Sequence, residues 1–314
     1  MSFESLRISL AKFGRLAAQT CIYLVVLTFR LVEDFFGLLT SRRKQVKGQV
    51  VVITGAAQGL GKLMAERFSL QLGAKVAMLD SNKELNEASA RQIRLSGGEA
   101  VAFECDVTEP EDMLKTAAEV TNHASLGAPD ILVCNAGVLF LGTVRHQPAA
   151  QIRKTIEVNL LGYFWTIRAF MGPMIERDRG HIVMVGSIAS HFGEVCASAY
   201  SASKFGIRGL MESLEYELLD ADKVGVKLST LYPYFTRTNM IKDCSPTSRL
   251  FNVLTAEQCA EAMVEAILLE KKEATIPRYM WVFCTLCKAI MSSYKAKLTS
   301  RKFFNVRYFN DYKL

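Results

Sequence analysis

Gln49-Val50-Val51-Val52-Ile53-Thr54-Gly55-Ala56-Ala57-Gln58-Gly59-Leu60-Gly61 is the stretch that decides how this chain folds. The apolar, β-branched run up to Ile53 predicts a buried strand. The pattern from Lys62 to Leu72 predicts a helix. Between them stands Gly-x-x-x-Gly-x-Gly, a spacing that differs from the commoner dinucleotide fingerprint. A glycine-rich turn between strand and helix lets backbone N–H groups approach a pyrophosphate at the helix N-terminus. Gly55, Gln58, Gly59, Leu60 and Gly61 are therefore candidate cofactor contacts. The competing reading is a tight turn that needs glycine for backbone reasons only.

Further along, the same alternation repeats. Lys75 to Leu79 reads as a second strand ended by Asp80, and Glu84 to Leu95 as a helix closed by Gly97-Gly98. Strands are expected at Ala100–Glu104, Asp130–Cys134, His181–Val185 and Val224–Leu231, with a last one near Thr275-Ile276-Pro277. Helices are expected up to about His123, over Gln151 to Met171, from Tyr200 to about Leu219, and over Ala256 to Glu270. Regular strand–helix alternation predicts an α/β fold with a doubly wound, Rossmann-type parallel sheet. An acid at the end of the second strand bonds the adenine ribose hydroxyls and repels a 2′-phosphate. Asp80 thus favours NAD over NADP, although nearby Lys83 would partly compensate a phosphate.

Tyr200-Ser201-Ala202-Ser203-Lys204 carries the chemistry. A tyrosine and a lysine four apart share one helix face. A free phenol titrates at about 10 and is a poor base at neutral pH. A nearby ammonium is expected to lower that value and make Tyr200 a proton donor and acceptor. Ser187, just past the strand ending at Val185, would hold a substrate oxygen beside it. Taken alone, Tyr-x-x-x-Lys also describes an ordinary solvated helix face.

In order and spacing, Thr54-Gly55-x-x-x-Gly59-x-Gly61, Asn135-Ala136-Gly137, Asn159, Ser187 and Tyr200-x-x-x-Lys204 resemble the classical short-chain dehydrogenases/reductases, over about Gly48 to Pro277. The resemblance implies catalytic roles for Asn159, Ser187, Tyr200 and Lys204, with Asn159 in a water-linked proton relay to the lysine. It also implies that Asp106 and Val107 border the adenine. Asn135, Ala136 and Gly137 would support the sheet and contact the cofactor ribose, which Lys204 also anchors. Pro233 and Thr238 are implied cofactor contacts, with Thr236 a weaker one. Tyr234 stands where the family usually has glycine, which questions the local backbone and makes Tyr234 a candidate wall of the substrate pocket. Residues 239–255 match the family's substrate loop. The Tyr-Pro-Tyr-Phe-Thr stretch at 232–236 is similar to the membrane and lipid-droplet branch of retinol and 17β-hydroxysteroid dehydrogenases.

Charge divides the 314-residue chain, whose net charge is +7. Residues 1–48 hold eight Lys/Arg against three acids, and residues 279–314 seven against one, so the span between is net −4. Basic ends beside apolar stretches suggest an anionic lipid surface, and no nucleic-acid module is visible. Leu16 to Phe29 is largely apolar before Arg30 interrupts, short of the ~20 residues a span needs. A cleaved signal, a bilayer span and a helix embedded in one leaflet all remain open. Arg42-Arg43-Lys44 suits a cytosolic flank. The expected organisation is a membrane-anchoring segment 1–47, an NAD-binding catalytic domain 48–278 and a basic amphipathic extension 279–314. Eight scattered cysteines form no disulfide framework, and Cys284-Thr285-Leu286-Cys287 lacks the second half of a zinc site, so no metal is expected.

Together these readings lead to an NAD-dependent oxidoreductase of a lipophilic alcohol. The resemblance implies retinol/retinal, with 17β-hydroxysteroids or long-chain fatty alcohols as alternatives. It also implies a homodimer at the endoplasmic reticulum membrane or lipid-droplet surface, with the catalytic domain facing the cytosol. A structural or recruiting lipid-droplet protein with a dormant site is the alternative from another class.

Overall fold

Alternation along the first strand sets up both layers of the core. In β1 (Val50–Thr54), Val51 and Ile53 face one side of the sheet and Val52 the other. A computed structural model describes residues 18–22, 24–29, 31–32, 42–241, 244–246, 253–282, 284–285 and 306–308. The chain divides into two compact units, Met1–Arg42 with Trp281–Phe303, and Arg43–Met280 with Phe304–Leu314.

The larger unit is built on β1, β2 (Lys75–Asp80), β3 (Glu99–Glu104), β4 (Ile131–Cys134), β5 (Gly180–Val185), β6 (Val226–Pro233) and β10 (Glu273–Ile276). These seven lie in the order β10-β6-β5-β4-β1-β2-β3, every pairing parallel. Parallel strands need crossovers, and helices supply them. On one face Met64 and Phe68 of the first crossover, Ile93 of the second and Met263 and Ile267 of the last close over Val51 and Ile53. On the other face Met113, Tyr163, Ile207 and Leu214 close over Val52 and Leu132. Each such fully buried side chain contributes about 1.5–3 kcal/mol relative to exposure. The expected doubly wound sheet is present.

Strand order reverses between β1 and β4, and the carboxyl ends of the two strands open a crevice there. The helices that matter for the site are α1 (Gly59–Glu66), α2 (Lys83–Leu95), α3 (Pro110–Asn122), α4 (Ala149–Ile156), α5 (Gly162–Phe170) and α6 (Gly172–Glu176). After β5 come α7 (Ser198–Asp220) and α8 (Ala256–Leu268). The single helix expected over Gln151 to Met171 is interrupted. A π-helical turn, Glu157–Leu161, separates α4 from α5. Short strands β7 (Thr236–Arg237) and β9 (Leu254–Thr255) pair in parallel. Strands β8 (Cys244–Pro246) and β11 (Val306–Tyr308) pair antiparallel. Of the interfacial helix expected over the apolar run from Tyr279 and its basic neighbours, residues 280–282 and 284–285 are described, and they are helical. Lys288, Lys295, Lys297, Arg301 and Lys302, the basic residues of that expected helix, lie outside the described residues.

At the opposite, amino edge of the sheet, buried His181 accepts a hydrogen bond at Nδ1 from Lys44 Nζ (2.7 Å). An ammonium only donates, so the ring proton sits on Nε2 and points to Ser229 Oγ, 2.7 Å away. Burial, with Lys44 and Lys227 nearby, pushes the His181 pKa well down.

In the smaller unit the described helical residues expose Ile22, Val25, Phe29 and Leu31. Among the described residues no helix is long and apolar enough to cross a membrane.

Candidate active site

The glycine turn is shaped by contacts as much as by torsions. Gly55 takes φ +66°, and a Cβ there would sit 2.8 Å from the Ala136 Cα. At Gly61 a Cβ would lie 2.1 Å from the Gly55 carbonyl oxygen. Gly59 differs: it has positive φ, but nothing lies within 4 Å of its would-be Cβ. It borders open space in the crevice, where α1 begins with no side-chain cap on its N–H groups. A free helix N-terminus at a glycine edge fits an anionic diphosphate.

Thr54 and Asn135 staple this turn to the next one. Thr54 Oγ1 accepts from the backbone N–H groups of Asn135 (3.0 Å) and Ala136 (3.1 Å). Asn135 Nδ2 donates to the carbonyls of Thr54 (2.9 Å) and Gly55 (3.1 Å). Asp80, at the end of β2, accepts from Ala57 N–H (3.0 Å) and Asn82 N–H (2.9 Å), which holds the acid against the same turn. Lys83 pairs with Glu104 at 3.0 Å. Asp106 accepts from Thr108 and pairs with Lys154 at 3.6 Å, next to buried Val107.

Ser187 follows β5 and opens a short 3₁₀ turn, its Oγ accepting from Ala189 N–H at 3.1 Å. Tyr200 lies in the first turn of α7 and Lys204 one turn later. Lys204 is 3% exposed and donates through Nζ to the Val185 carbonyl at 2.8 Å. Tyr163 OH donates to the same carbonyl at 2.9 Å. Lys204 Nζ is 5.7 Å from the centre of the Tyr200 ring.

One expectation about this pair is corrected. Among the protein groups the Tyr200 pKa is raised, not lowered. Burial raises it, a hydrogen bond with Ser187 pulls it back, and Glu194 pushes it up again. Burial likewise brings Lys204 down to about 7. The reason is shared: desolvation opposes the charged form of both partners.

Asn159 is fully buried within the π-helical turn. Its Oδ1 accepts from Val138 N–H (2.8 Å), and its Nδ2 donates to the Val138 carbonyl (2.9 Å) and Ser203 Oγ (3.2 Å). Those bonds hold the segment after β4 against α7. Tyr234 is absent from the residues with positive φ, so the tyrosine in place of glycine strains nothing there. Its N–H donates to the Ile276 carbonyl and its ring meets Phe235 edge-on at 5.2 Å. Thr236 Oγ1 donates to the Tyr234 carbonyl, and both Thr236 and Thr238 border the crevice.

The crevice encloses about 670 Å³ and brings Gly55, Gly59, Asp80, Ser187, Tyr200 and Lys204 together. Asn159 and Gly61 stand behind that wall, and the other expected cofactor residues, Gln58 and Leu60 to Thr238, border it. Two participants went unpredicted. Thr54, read only as part of the glycine pattern, proves a staple through a hydroxyl that spacing alone does not reveal. Glu194 lines the cavity from the loop before α7, where no periodicity marks it.

A parallel sheet with a glycine turn at its switch point and a Ser–Tyr–Lys group beside it defines a nucleotide-dependent oxidoreductase of the short-chain type. Residues 49–249 match the family model described as short chain dehydrogenase, and the chain belongs to that family. It is 34% identical to estradiol 17-beta-dehydrogenase 11 of Macaca fascicularis over 278 residues, 88% of this chain and 90% of that one. It is also 34% identical to human epidermal retinol dehydrogenase 2 over 263 residues, 83% of this chain and 84% of that one. A metagenomic short-chain oxidoreductase solved with NADP is 30% identical and superposes with a TM-score of 0.61, covering 74% of this chain and 98% of that one. The chain is a short-chain alcohol dehydrogenase of the retinol and steroid branch.

Proposed function

We propose that this enzyme interconverts a lipophilic alcohol and its carbonyl with NAD. The observation that carries the proposal is the single cavity shared by the glycine turn, Asp80 and the Ser187–Tyr200–Lys204 group. Leu139, Phe140, Leu141, Tyr234, Met240 and Ile241 give that cavity an apolar wall suited to a greasy substrate.

When bound, the nicotinamide supplies hydride acceptance and donation, which no side chain can. The chain's own residues do the rest. Ser187 holds the substrate oxygen. Tyr200 takes the hydroxyl proton during oxidation and returns it to the carbonyl oxygen during reduction. The protonated phenol favoured by burial is the state ready for reduction. Lys204 would hold the ribose and, when charged, steady the phenolate. Asn159 fixes the segment after β4 that borders the cavity. Asp80 supports NAD, since its charge opposes a 2′-phosphate and the nearby Lys83 is already paired with Glu104.

Retinol/retinal and 17β-hydroxysteroids are the first substrates to try, after the relatives of those names. The apolar residues exposed at 22–31 and the basic flanks support attachment of segment 1–47, with the extension 279–314, to the endoplasmic reticulum or droplet surface. In that organisation residues 48–278 are the catalytic domain facing the cytosol, as a homodimer. The test is NADH formation by the full-length protein in phospholipid vesicles with all-trans-retinol, estradiol and long-chain alkanols, repeated with NADP. Absence of turnover with every alcohol and both cofactors overturns the proposal.

A further inference from the structure

Glu194 is out of place in this cavity. It lies between the 3₁₀ turn that follows Ser187 and the start of α7. Its backbone is pinned: the N–H donates to Ser201 Oγ at 3.1 Å, and the carbonyl accepts from Ala197 N–H at 3.3 Å. Two residues on, Cys196 takes φ +60° and its carbonyl accepts from Gly142 N–H at 2.7 Å. That bond ties the loop to the segment carrying Leu139, Phe140 and Leu141. The loop is thus held as one wall of the substrate end, and the Glu194 side chain lines it together with Ser187 and Tyr200.

Glu194 is half-buried at the cavity wall, where a carboxyl group is poorly solvated unless water or a bound group reaches it. Among the described residues the Glu194 side chain meets neither a cation nor a hydrogen-bond donor. Burial alone raises its pKa to about 7, and its charge is close enough to Tyr200 to oppose the phenolate. Nothing in the reaction assigned to Ser187, Tyr200 and Lys204 uses it. A carboxyl that costs both solvation and phenolate stability is best explained by a group on the substrate.

We infer that Glu194 is a specificity-determining residue that hydrogen-bonds a second hydroxyl on the substrate, so that the preferred substrate is a lipophilic diol and not a lipophilic mono-alcohol. The inference rests on the alcohol dehydrogenase reading above. A hydroxyl both donates and accepts, so it satisfies the carboxyl in either protonation state; an ammonium would satisfy only the carboxylate. Retinol, with one hydroxyl, then becomes the poorer of the two named candidates.

The experiment measures kcat/KM for 1-dodecanol, for dodecanediols with the second hydroxyl at successive carbons, and for the matching amino alcohols. The full-length wild type, Glu194→Gln and Glu194→Val are compared with NAD. A site built for a hydroxyl rejects the analogue without it, so at least one diol should exceed 1-dodecanol by about tenfold or more in the wild type. Glu194→Gln keeps a preference, because an amide still bonds a hydroxyl. Glu194→Val reverses it, with 1-dodecanol gaining. Any change that Glu194 works on Tyr200 affects all substrates alike and cancels in the ratio. The wild-type ratio needs no variant to fold. Equal kcat/KM for diols and 1-dodecanol in the wild type, or a ratio unchanged in Glu194→Val, overturns the assignment of Glu194 alone. Preference for an amino alcohol overturns the hydroxyl as its partner. Turnover of no alcohol at all overturns the dehydrogenase reading, and this inference with it.

Discussion

Asn159 grips the backbone of Val138 at both ends of one residue, accepting from its N–H at 2.8 Å and donating to its carbonyl at 2.9 Å. This pair of hydrogen bonds, made from a fully buried side chain, holds the segment leaving β4 in place. Asn159→Ala leaves two part-buried backbone groups without their side-chain partner, a loss of up to about 1–3 kcal/mol each. The expected outcome is a lower Tm together with a kcat reduced by about a hundredfold. Thermal unfolding and steady-state kinetics on the same preparation check both.

Tyr200→Phe removes the proton carrier and little volume. General acid–base catalysis is worth about 10²–10⁴-fold, and turnover should fall by that factor or more. NADH binding, read by fluorescence titration, should change by less than about threefold, since the phenyl ring still fills its place. Wild-type turnover would remove Tyr200 from the chemistry.

Gly61→Ala would place a Cβ 2.1 Å from the Gly55 carbonyl oxygen and 2.7 Å from Asn135 Nδ2. Neither neighbour can yield without breaking the staple between Asn135 and Thr54. Overpacking of this kind costs about 1–3 kcal/mol, and the distorted turn should lose dinucleotide affinity as well. Gly59→Ala meets no atom within 4 Å but holds a side chain at φ +60°, a strain of about 1–2 kcal/mol, and should weaken dinucleotide binding without the clash of Gly61→Ala. Denaturant unfolding and NADH titration separate the two substitutions.

Asp80→Asn keeps an oxygen for one of the two N–H groups it serves and discards the charge. The ratio of kcat/KM with NAD to that with NADP should fall about tenfold, roughly 1.4 kcal/mol. An unchanged ratio would mean that cofactor choice is made elsewhere.

His181 holds a proton less readily in the folded chain than in the unfolded one, because burial and Lys44 both oppose its charge. Below its ordinary value of 6.5 the unfolded chain gains a proton that the folded chain resists. Stability contributed by the neutral ring is present above that pH and is lost as pH falls. The Tm should therefore drop between pH 7.5 and 5.5, and His181→Gln should flatten that dependence. Differential scanning calorimetry across the range decides it.

Much of the architecture could be read from residues because its causes are local. The apolar runs at Val50–Ile53 and Ile182–Val185, β-branched throughout but for Met184, suit buried strands, and the glycine spacing at 55–61 suits a strand-to-helix turn. What escaped detection is set by partners distant in sequence. From the π-helical turn at 157–161 Asn159 reaches Val138 and Ser203, and neither contact leaves a mark on the apolar periodicity. The raised pKa of Tyr200 depends on how dry the site is, a property of the assembled fold and not of the four-residue spacing to Lys204. Glu194 was invisible for a similar reason: a lone acid in a loop reads as solvated until the opposite wall is in place.

The extra residue accommodated by the π-helical turn also bears on how this enzyme can diverge. Deleting one residue between 157 and 161 would mend the helix into an unbroken α-spiral, a gain by any local measure, while rotating everything downstream by about 100° relative to what precedes it. The length of the chain here is thus held by the site and not by the backbone, and a protein shortened at this point should keep its helix and lose its turnover.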